Sequence, residues 1–305
     1  MEGIYDLAIV GTGPAGLTAA IFAQRLGLRC IVFGNTPGGN LYMIERIENY
    51  PGFPEGIAGA SLGAQLFSQA QKHGAHFTMK ICKELQKDDK LFKLIDEEDI
   101  EHLARSVILA SGLSPKLPDF PIKAKKGIHL CTMCDGPLYR GKDATLAVIG
   151  GGNTAGTQVL QLMNIAKEIH LIHRGKELKM EWSLERKIRD LKNLTIWLSA
   201  EVLEVQGQEQ VEAILIEQGE VIRKITVDGL FLSVGWEPKL DYVKIHINKT
   251  QEGYVLTDPQ LRTSEPGVFA AGDIREADMR QIITAAGDGA RAAYTAFKYL
   301  VPEYF

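Results

Sequence analysis

Residues 5–34 read YDLAIVGTGPAGLTAAIFAQRLGLRCIVFG, and this stretch decides the fold. The run Leu7-Ala8-Ile9-Val10 is continuously apolar, as in a strand buried on both faces of a parallel sheet. It meets Gly11-Thr12-Gly13-Pro14-Ala15-Gly16, a complete G-x-G-x-x-G, then an amphipathic helix and a second strand ending at Phe33-Gly34. Glycines there permit a tight turn and let a pyrophosphate approach the backbone, with the helix N-terminus facing its charge. An ordinary tight turn is the competing reading, and the strand–turn–helix context favours the dinucleotide site. The second strand lacks the acid that usually holds an adenosine ribose, so this loop alone does not separate NAD from FAD.

The pattern returns at 143–175, DATLAVIGGGNTAGTQVLQLMNIAKEIHLIHRG. Here a strand at 146–149 leads into Gly150-Gly151-Gly152-Asn153-Thr154-Ala155, a helix, and a strand at 169–172. Alanine at the third small position is compatible with close helix packing. The second strand ends in His173-Arg174, and a cation in place of an acid suits a 2′-phosphate and favours NADP. The alternative is a solvated surface arginine.

Two βαβ units this far apart predict an α/β fold of two Rossmann-like, three-layer domains. The tail, TSEPGVFAAGD and a helix at about 281–300, is short for a domain of its own and is expected to rejoin the N-terminal half. The expected division is 1–114 with 240–305 as the FAD-binding domain. Residues 115–239 form the inserted NAD(P)-binding domain, with boundaries in glycine- and proline-rich segments near 112–118 and 235–240.

Composition narrows the classes. A chain of 305 residues, 45% hydrophobic and 24% charged, has the balance of a soluble two-domain protein. Net charge is −4 with dispersed basic residues, which argues against a nucleic-acid surface. No apolar run reaches the roughly 18 residues of a membrane span. The N-terminal stretch, with Glu2, lacks the basic start of a signal peptide, so a cytoplasmic location is expected. Thiols there are mostly reduced, which disfavours a purely structural disulfide.

Against that background CTMCDG, residues 131–136, stands out among four cysteines. Zinc needs four ligands and one C-x-x-C supplies two; Cys30 and Cys82 are isolated, and the H-x-x-H pairs match no usual zinc spacing. A redox pair is favoured over a zinc half-site or a chance core pair. If Cys134 opens a helical turn, the turn's dipole would favour its thiolate. A dithiol between two dinucleotide sites suggests electrons passing from nicotinamide to flavin to disulfide.

GTGPAG, GGN with ENYPGF, CTMCDG, GGGNTA with HRG, and TSEPGVFAAGD with RQIITAAGDGARAA run in order along the whole chain. In this the sequence resembles the low-molecular-weight flavoprotein thioredoxin reductases of bacteria and archaea. The resemblance implies an oxidoreductase that carries electrons from a reduced donor through FAD to Cys131–Cys134 and then to thioredoxin or a thioredoxin-like protein, usually as a homodimer. Gly11, Gly13 and Gly16, with Pro14 and Ala15 between them, would hold the FAD pyrophosphate. Gly39, Asn40, Asn49 and Gly112 would line the flavin pocket, Asp273 would bond the ribityl chain, and Arg280, Gln281 and Ile282 would approach the isoalloxazine ring. Cys134 would be the cysteine nearer the flavin, and Asp135 the acid–base residue, a helix cap being its structural alternative, as it is for Asp273. Gly150, Gly152, Asn153, Thr154 and Ala155, with His173, Arg174 and Lys179, would bind NADPH. Trp182 and Trp236 read as packing residues.

The chain departs from the family where the donor binds. The usual H-R-R with a further arginine four residues on is His173-Arg174-Gly175 with Lys179, and lysine lacks the planar fork of arginine. The family's GGQ is GGN at Asn40, and an acidic pair often found after the second loop is Thr157-Gln158. NADH, ferredoxin or a deazaflavin are therefore alternative donors, and a small-molecule dithiol oxidase or a non-catalytic nucleotide sensor are rival functions. The related ferredoxin–NADP reductases lack the cysteine pair that this chain has.

Overall fold

The computed structural model describes residues 3–302. In chain order the strands and α-helices are β1 (Tyr5–Val10), α1 (Pro14–Arg25), β2 (Cys30–Phe33), α2 (Gly59–Lys72), β3 (His76–Phe77), β4 (Cys82–Asp88), β5 (Leu91–Asp96), β6 (Glu101–Leu109), β7 (Leu113–Pro115), β8 (Ile128–His129) and α3 (Thr132–Asp135). There follow β9 (Thr145–Ile149), α4 (Asn153–Leu162), β10 (Glu168–His173), α5 (Trp182–Arg189), β11 (Leu194–Leu198), β12 (Ala200–Gln206), β13 (Ala213–Gln218), β14 (Val221–Thr226), β15 (Gly229–Leu232), β16 (Trp236–Pro238), β17 (Val268–Ala270) and α6 (Ile282–Leu300). The chain folds as two compact units, residues 1–114 with 237–305 and residues 115–236.

In the first unit the sheet runs β3-β2-β1-β6-β5-β4. The long β6 is shared: its first half pairs antiparallel with β5 and its second half parallel with β17. β1 lies parallel between β2 and β6, which is why its core reads as an unbroken apolar run. Leu7 and Ile9 face α1 and α6. Ala8 and Val10 face the opposite way, against Leu85, Phe92, Leu240 and Val255. Helix α1 begins with Pro14, whose fixed φ suits a first helical position, and stops at Gly27, which takes φ +80. Glycine also sets how closely α6 approaches: a Cβ on Gly289 would fall 2.1 Å from the Ala15 carbonyl oxygen.

The second unit has three layers. Its parallel sheet runs β11-β10-β9-β15-β8. Leu146, Val148 and Leu171 pack on α4 and α5 through Val159, Leu162 and Ile188. Ala147, Ile149 and Ile172 pack on the antiparallel sheet β12-β13-β14 through Val202, Ile214, Ile216 and Ile225. Neither that sheet nor the β4–β5 hairpin carries a glycine loop or any other signature that the sequence reading used.

Candidate functional site

The first glycine loop is built so that two glycines fit the protein and one faces outward. Gly11 takes φ +123, and a Cβ on it would lie 2.1 Å from the Ala110 carbonyl oxygen; one on Gly16 would lie 1.9 Å from the Gly11 carbonyl oxygen. Gly13, the N-cap of α1, has extended backbone and nothing within 4 Å of its Cβ position. The loop thus closes tightly and leaves exposed backbone at the start of a helix, which is the geometry a pyrophosphate needs. The turn at 38–39 folds over it: Gly38 N–H donates to the Thr12 carbonyl at 2.8 Å, and Gly39 takes φ +55 with its Cβ position 3.2 Å from the Gly13 Cα. Ala15 is buried against the turn at Gly272.

Around this loop the first unit gathers several polar groups. Asn49 Nδ2 donates to Gln281 Oε1 at 3.1 Å, joining two residues 232 positions apart, and Asn40 Nδ2 donates to the Leu113 carbonyl at 3.0 Å. Gln281 caps α6 in a reciprocal box with Thr284, which places Ile282 at the first helical position. Asp273 lies in the short turn after β17; burial raises its carboxyl, the Arg280 charge offsets part of this, and Asp288 adds to it. The Arg280 guanidinium lies 4.1 Å from the Tyr254 ring centroid, and its Nε is buried without a hydrogen-bond partner. An orphaned buried donor beside a half-buried carboxylate is a site with bonds left to make. Gly112 takes φ +65 with open space at its Cβ position.

The second loop repeats the device. Gly150 takes φ +150 and packs on Ser233, and Gly152 caps α4, with Ala155 fully buried beneath. Lys179 N–H donates to the Gly151 carbonyl at 2.6 Å, which fixes the following strap to the loop. The His173 ring lies over Gly151, where a Cβ would come within 2.4 Å of Nδ1. Burial lowers the His173 pKa, the backbone at Glu177 works against this, and the charges of Lys179 and Arg174 lower it further. Arg174 and Lys179 are both exposed, and neither has an ion-pair partner among the described residues. Asn153 Oδ1 accepts the Glu181 N–H at 2.7 Å, and Trp236 Nε1 reaches toward Thr154 Oγ1 at 3.5 Å.

Cys131 and Cys134, also in the second unit, are joined as a disulfide with Cα atoms 5.4 Å apart. The helical turn begins at Thr132, not Cys134: Cys131 is its N-cap, and its sulfur accepts the Cys134 N–H at 3.1 Å. The cap position falls to Cys131 because its backbone is extended while 132–135 is helical. Cys131 is buried and Cys134 exposed. Asp135 Oδ2 lies 3.0 Å from His129 Nδ1, and His129 Nε2 lies 2.8 Å from the Tyr139 hydroxyl. Gln158 Nε2 donates to the Leu130 carbonyl at 3.1 Å while its Oε1 accepts from Ser233, so this amide in place of the family's acid anchors the approach to the cysteines. His129 and Tyr139 did not emerge from the sequence, where the one signal was the position of His129 two residues before the first cysteine; Gln158 stood out there only as a departure from the family's acidic pair.

Two glycine-loop units, one holding a C-x-x-C disulfide, define a disulfide oxidoreductase of the two-nucleotide kind. The family model for pyridine nucleotide-disulphide oxidoreductases matches residues 5–289. The thioredoxin reductase of Peptoclostridium acidaminophilum is 35% identical over 316 residues, covering 100% of this chain and 99% of that one. A 34.2 kDa protein in the rubredoxin operon of Clostridium pasteurianum is 37% identical over 98% of each. The crystal structure of Lactococcus lactis thioredoxin reductase superposes with a TM-score of 0.92 at 28% identity, over 98% of this chain and 99% of that one. The chain belongs to the pyridine nucleotide-disulphide oxidoreductase family and, within it, to the low-molecular-weight thioredoxin reductases.

Proposed function

We propose that this chain is a thioredoxin reductase that takes electrons from NADPH and delivers them to thioredoxin through FAD and the Cys131–Cys134 disulfide. The observation that carries the reading is that disulfide, formed between cysteines whose turn lies in the same unit as a glycine loop with two exposed cations, Arg174 and Lys179. FAD, when bound, supplies the step a dithiol lacks, since a flavin accepts a hydride and passes electrons to sulfur.

The protein's part is binding and proton handling. Gly11, Gly13 and Gly16, with Pro14 and Ala15, offer the pyrophosphate an open backbone at a helix start. Gly39, Asn40, Asn49 and Gly112 line the flavin pocket. Asp273 would bond the ribityl chain, and Arg280, Gln281 and Ile282 would hold the ring; the Arg280 Nε without a partner among the described residues and the Asn49–Gln281 bond support this. In the second unit Gly150, Gly152, Asn153, Thr154 and Ala155 cradle the nicotinamide nucleotide. Arg174 and Lys179 meet the 2′-phosphate, with the His173 ring lying over Gly151 beside them. Cys134, the exposed member of the pair, would be the sulfur that takes electrons from the flavin, and Asp135 would exchange protons with the dithiol. The homodimer and the cytoplasmic location rest on the family resemblance; among the described residues no helix is long and apolar enough to cross a membrane.

Gly175 stands where the family has an arginine, and Lys179 offers a point charge where a fork is usual. Losing one charge-assisted contact costs about 1.5–3 kcal/mol, or roughly tenfold to a hundredfold in affinity. NADPH is therefore expected to act at high concentration with weak discrimination against NADH. The test is anaerobic titration of the yellow protein with NADPH, NADH and reduced ferredoxin, followed as flavin bleaching, then addition of thioredoxin. Bleaching by NADPH and its reversal by oxidised thioredoxin support the reading. Cys134→Ser should keep the bleaching and lose the reversal. A preparation that takes up no FAD, or bleaching by ferredoxin alone, sinks it.

A further inference from the structure

We propose that His129 is a positioning residue for the cysteine pair, itself held by a hydrogen bond to Tyr139 and fixing the orientation of Asp135 through the close contact of its Nδ1 with that carboxylate. The proposal rests on the reading of Asp135 as the acid–base group of the dithiol.

Both ring nitrogens of His129 face a polar partner. Its Nδ1 lies 3.0 Å from Asp135 Oδ2, and its Nε2 shares a hydrogen bond with the Tyr139 hydroxyl across 2.8 Å. The ring is held by packing: Phe231 of β15 stacks on it with centroids 5.0 Å apart, and Tyr139 meets it edge-on at 5.6 Å. Tyr139 is itself seated in a slot that β15 provides, since a Cβ on Gly229 would come 2.4 Å from its Cζ and hydroxyl oxygen. The charged groups facing this pair are two carboxylates, Asp135 and Asp228. Burial raises the Tyr139 pKa, and the charges of Asp135 and then Asp228 raise it further, so the phenol stays a donor.

The step it serves is dithiol–disulfide exchange. One enzyme thiolate attacks the partner's disulfide, a mixed disulfide forms, and the partner's first sulfur leaves as thiolate. The second enzyme thiolate then attacks the enzyme sulfur of that bond and releases the partner's second sulfur. Two electrons and the two protons of the enzyme dithiol end on the partner's two sulfurs, and Cys131–Cys134 is again a disulfide. Asp135, adjacent to Cys134, ferries a proton in this exchange. A polar partner held against a carboxylate changes how readily it exchanges a proton, so removing His129 is expected to move the pH dependence of this exchange.

The test is the pH profile of thioredoxin reduction in His129→Phe, which keeps a ring on Phe231 and removes both polar contacts. The acid limb should move to higher pH by about one unit. The inflection in alkylation of the dithiothreitol-reduced pair by iodoacetamide should move with it, while donor-driven flavin bleaching stays at the parental rate. His129→Asn, which returns an N–H near the Nδ1 position, should bring the limb most of the way back; Tyr139→Phe should shift it less than His129→Phe. A His129→Phe profile that superimposes on the parent's while Asp135→Asn alters it overturns the positioning role alone. If Asp135→Asn also matches the parent, the acid–base reading of Asp135 has failed and this proposal with it. A His129→Asn profile no nearer the parent than that of His129→Phe also overturns it, because shape and not the polar contact at Nδ1 would then be responsible.

Discussion

Gln24 donates its amide N–H to the Cys30 sulfur at 3.3 Å, but burial outweighs that bond and pushes the thiol from 9.0 up to about 11. Cys82, also buried, is pushed up to about 12. At pH 8 the folded, oxidised protein should therefore show no thiol reactive to iodoacetamide, and two after denaturation without reductant. Reaction of the folded protein at either cysteine would contradict the burial. The same shifts mean that stability is full below the ordinary thiol value of 9.0 and falls as pH rises from there toward about 11 for Cys30 and about 12 for Cys82. At this scale the legible residues were those whose type is forced by backbone geometry. Gly11 and Gly16 could be found because only glycine leaves room for the neighbouring carbonyl oxygens. His129 could not, because what it does depends on Phe231 and Tyr139, brought to it by the pairing of β8 with β15.

Helix α6 shows what an element contributes beyond its pattern. Asp288, on its buried face, accepts from Arg275 Nε at 2.6 Å and Nη2 at 3.0 Å, and from the Gly272 N–H at 3.2 Å. These bonds tie the helix to the turn that carries Asp273. Breaking a buried pair on one side leaves an uncompensated charge, so Asp288→Ala should cost about 3 kcal/mol, read as a lower midpoint in urea unfolding. A midpoint unchanged from the parent would show that Arg275 finds water instead. The βαβ elements were legible because their apolar runs are long and glycine marks each loop. The antiparallel strands were not: in β14, five of six residues, all but Ile225, are exposed, so neither a buried run nor an alternation is left to read.

On the scale of the whole chain, each unit has core clusters drawn only from its own residues. The inserted unit is also closed where the chain enters and leaves, with Lys116 N–H donating to the Gly235 carbonyl at 3.0 Å. Residues 115–236 expressed alone should fold cooperatively on heating and cooling, followed by circular dichroism, and should form the Cys131–Cys134 disulfide. A fragment that shows no cooperative transition would mean its two cores need the rest of the chain. Residues 1–114 have no such independence, since β6 still lacks β17 and α1 lacks α6. Translation therefore meets the units in an unusual order. The opening segment leaves the ribosome first but must wait, with one face of its sheet uncovered, through the synthesis of everything up to residue 300. The middle of the protein can be finished before its beginning, and a nascent chain paused in the last loop would carry a folded guest on an unfinished host.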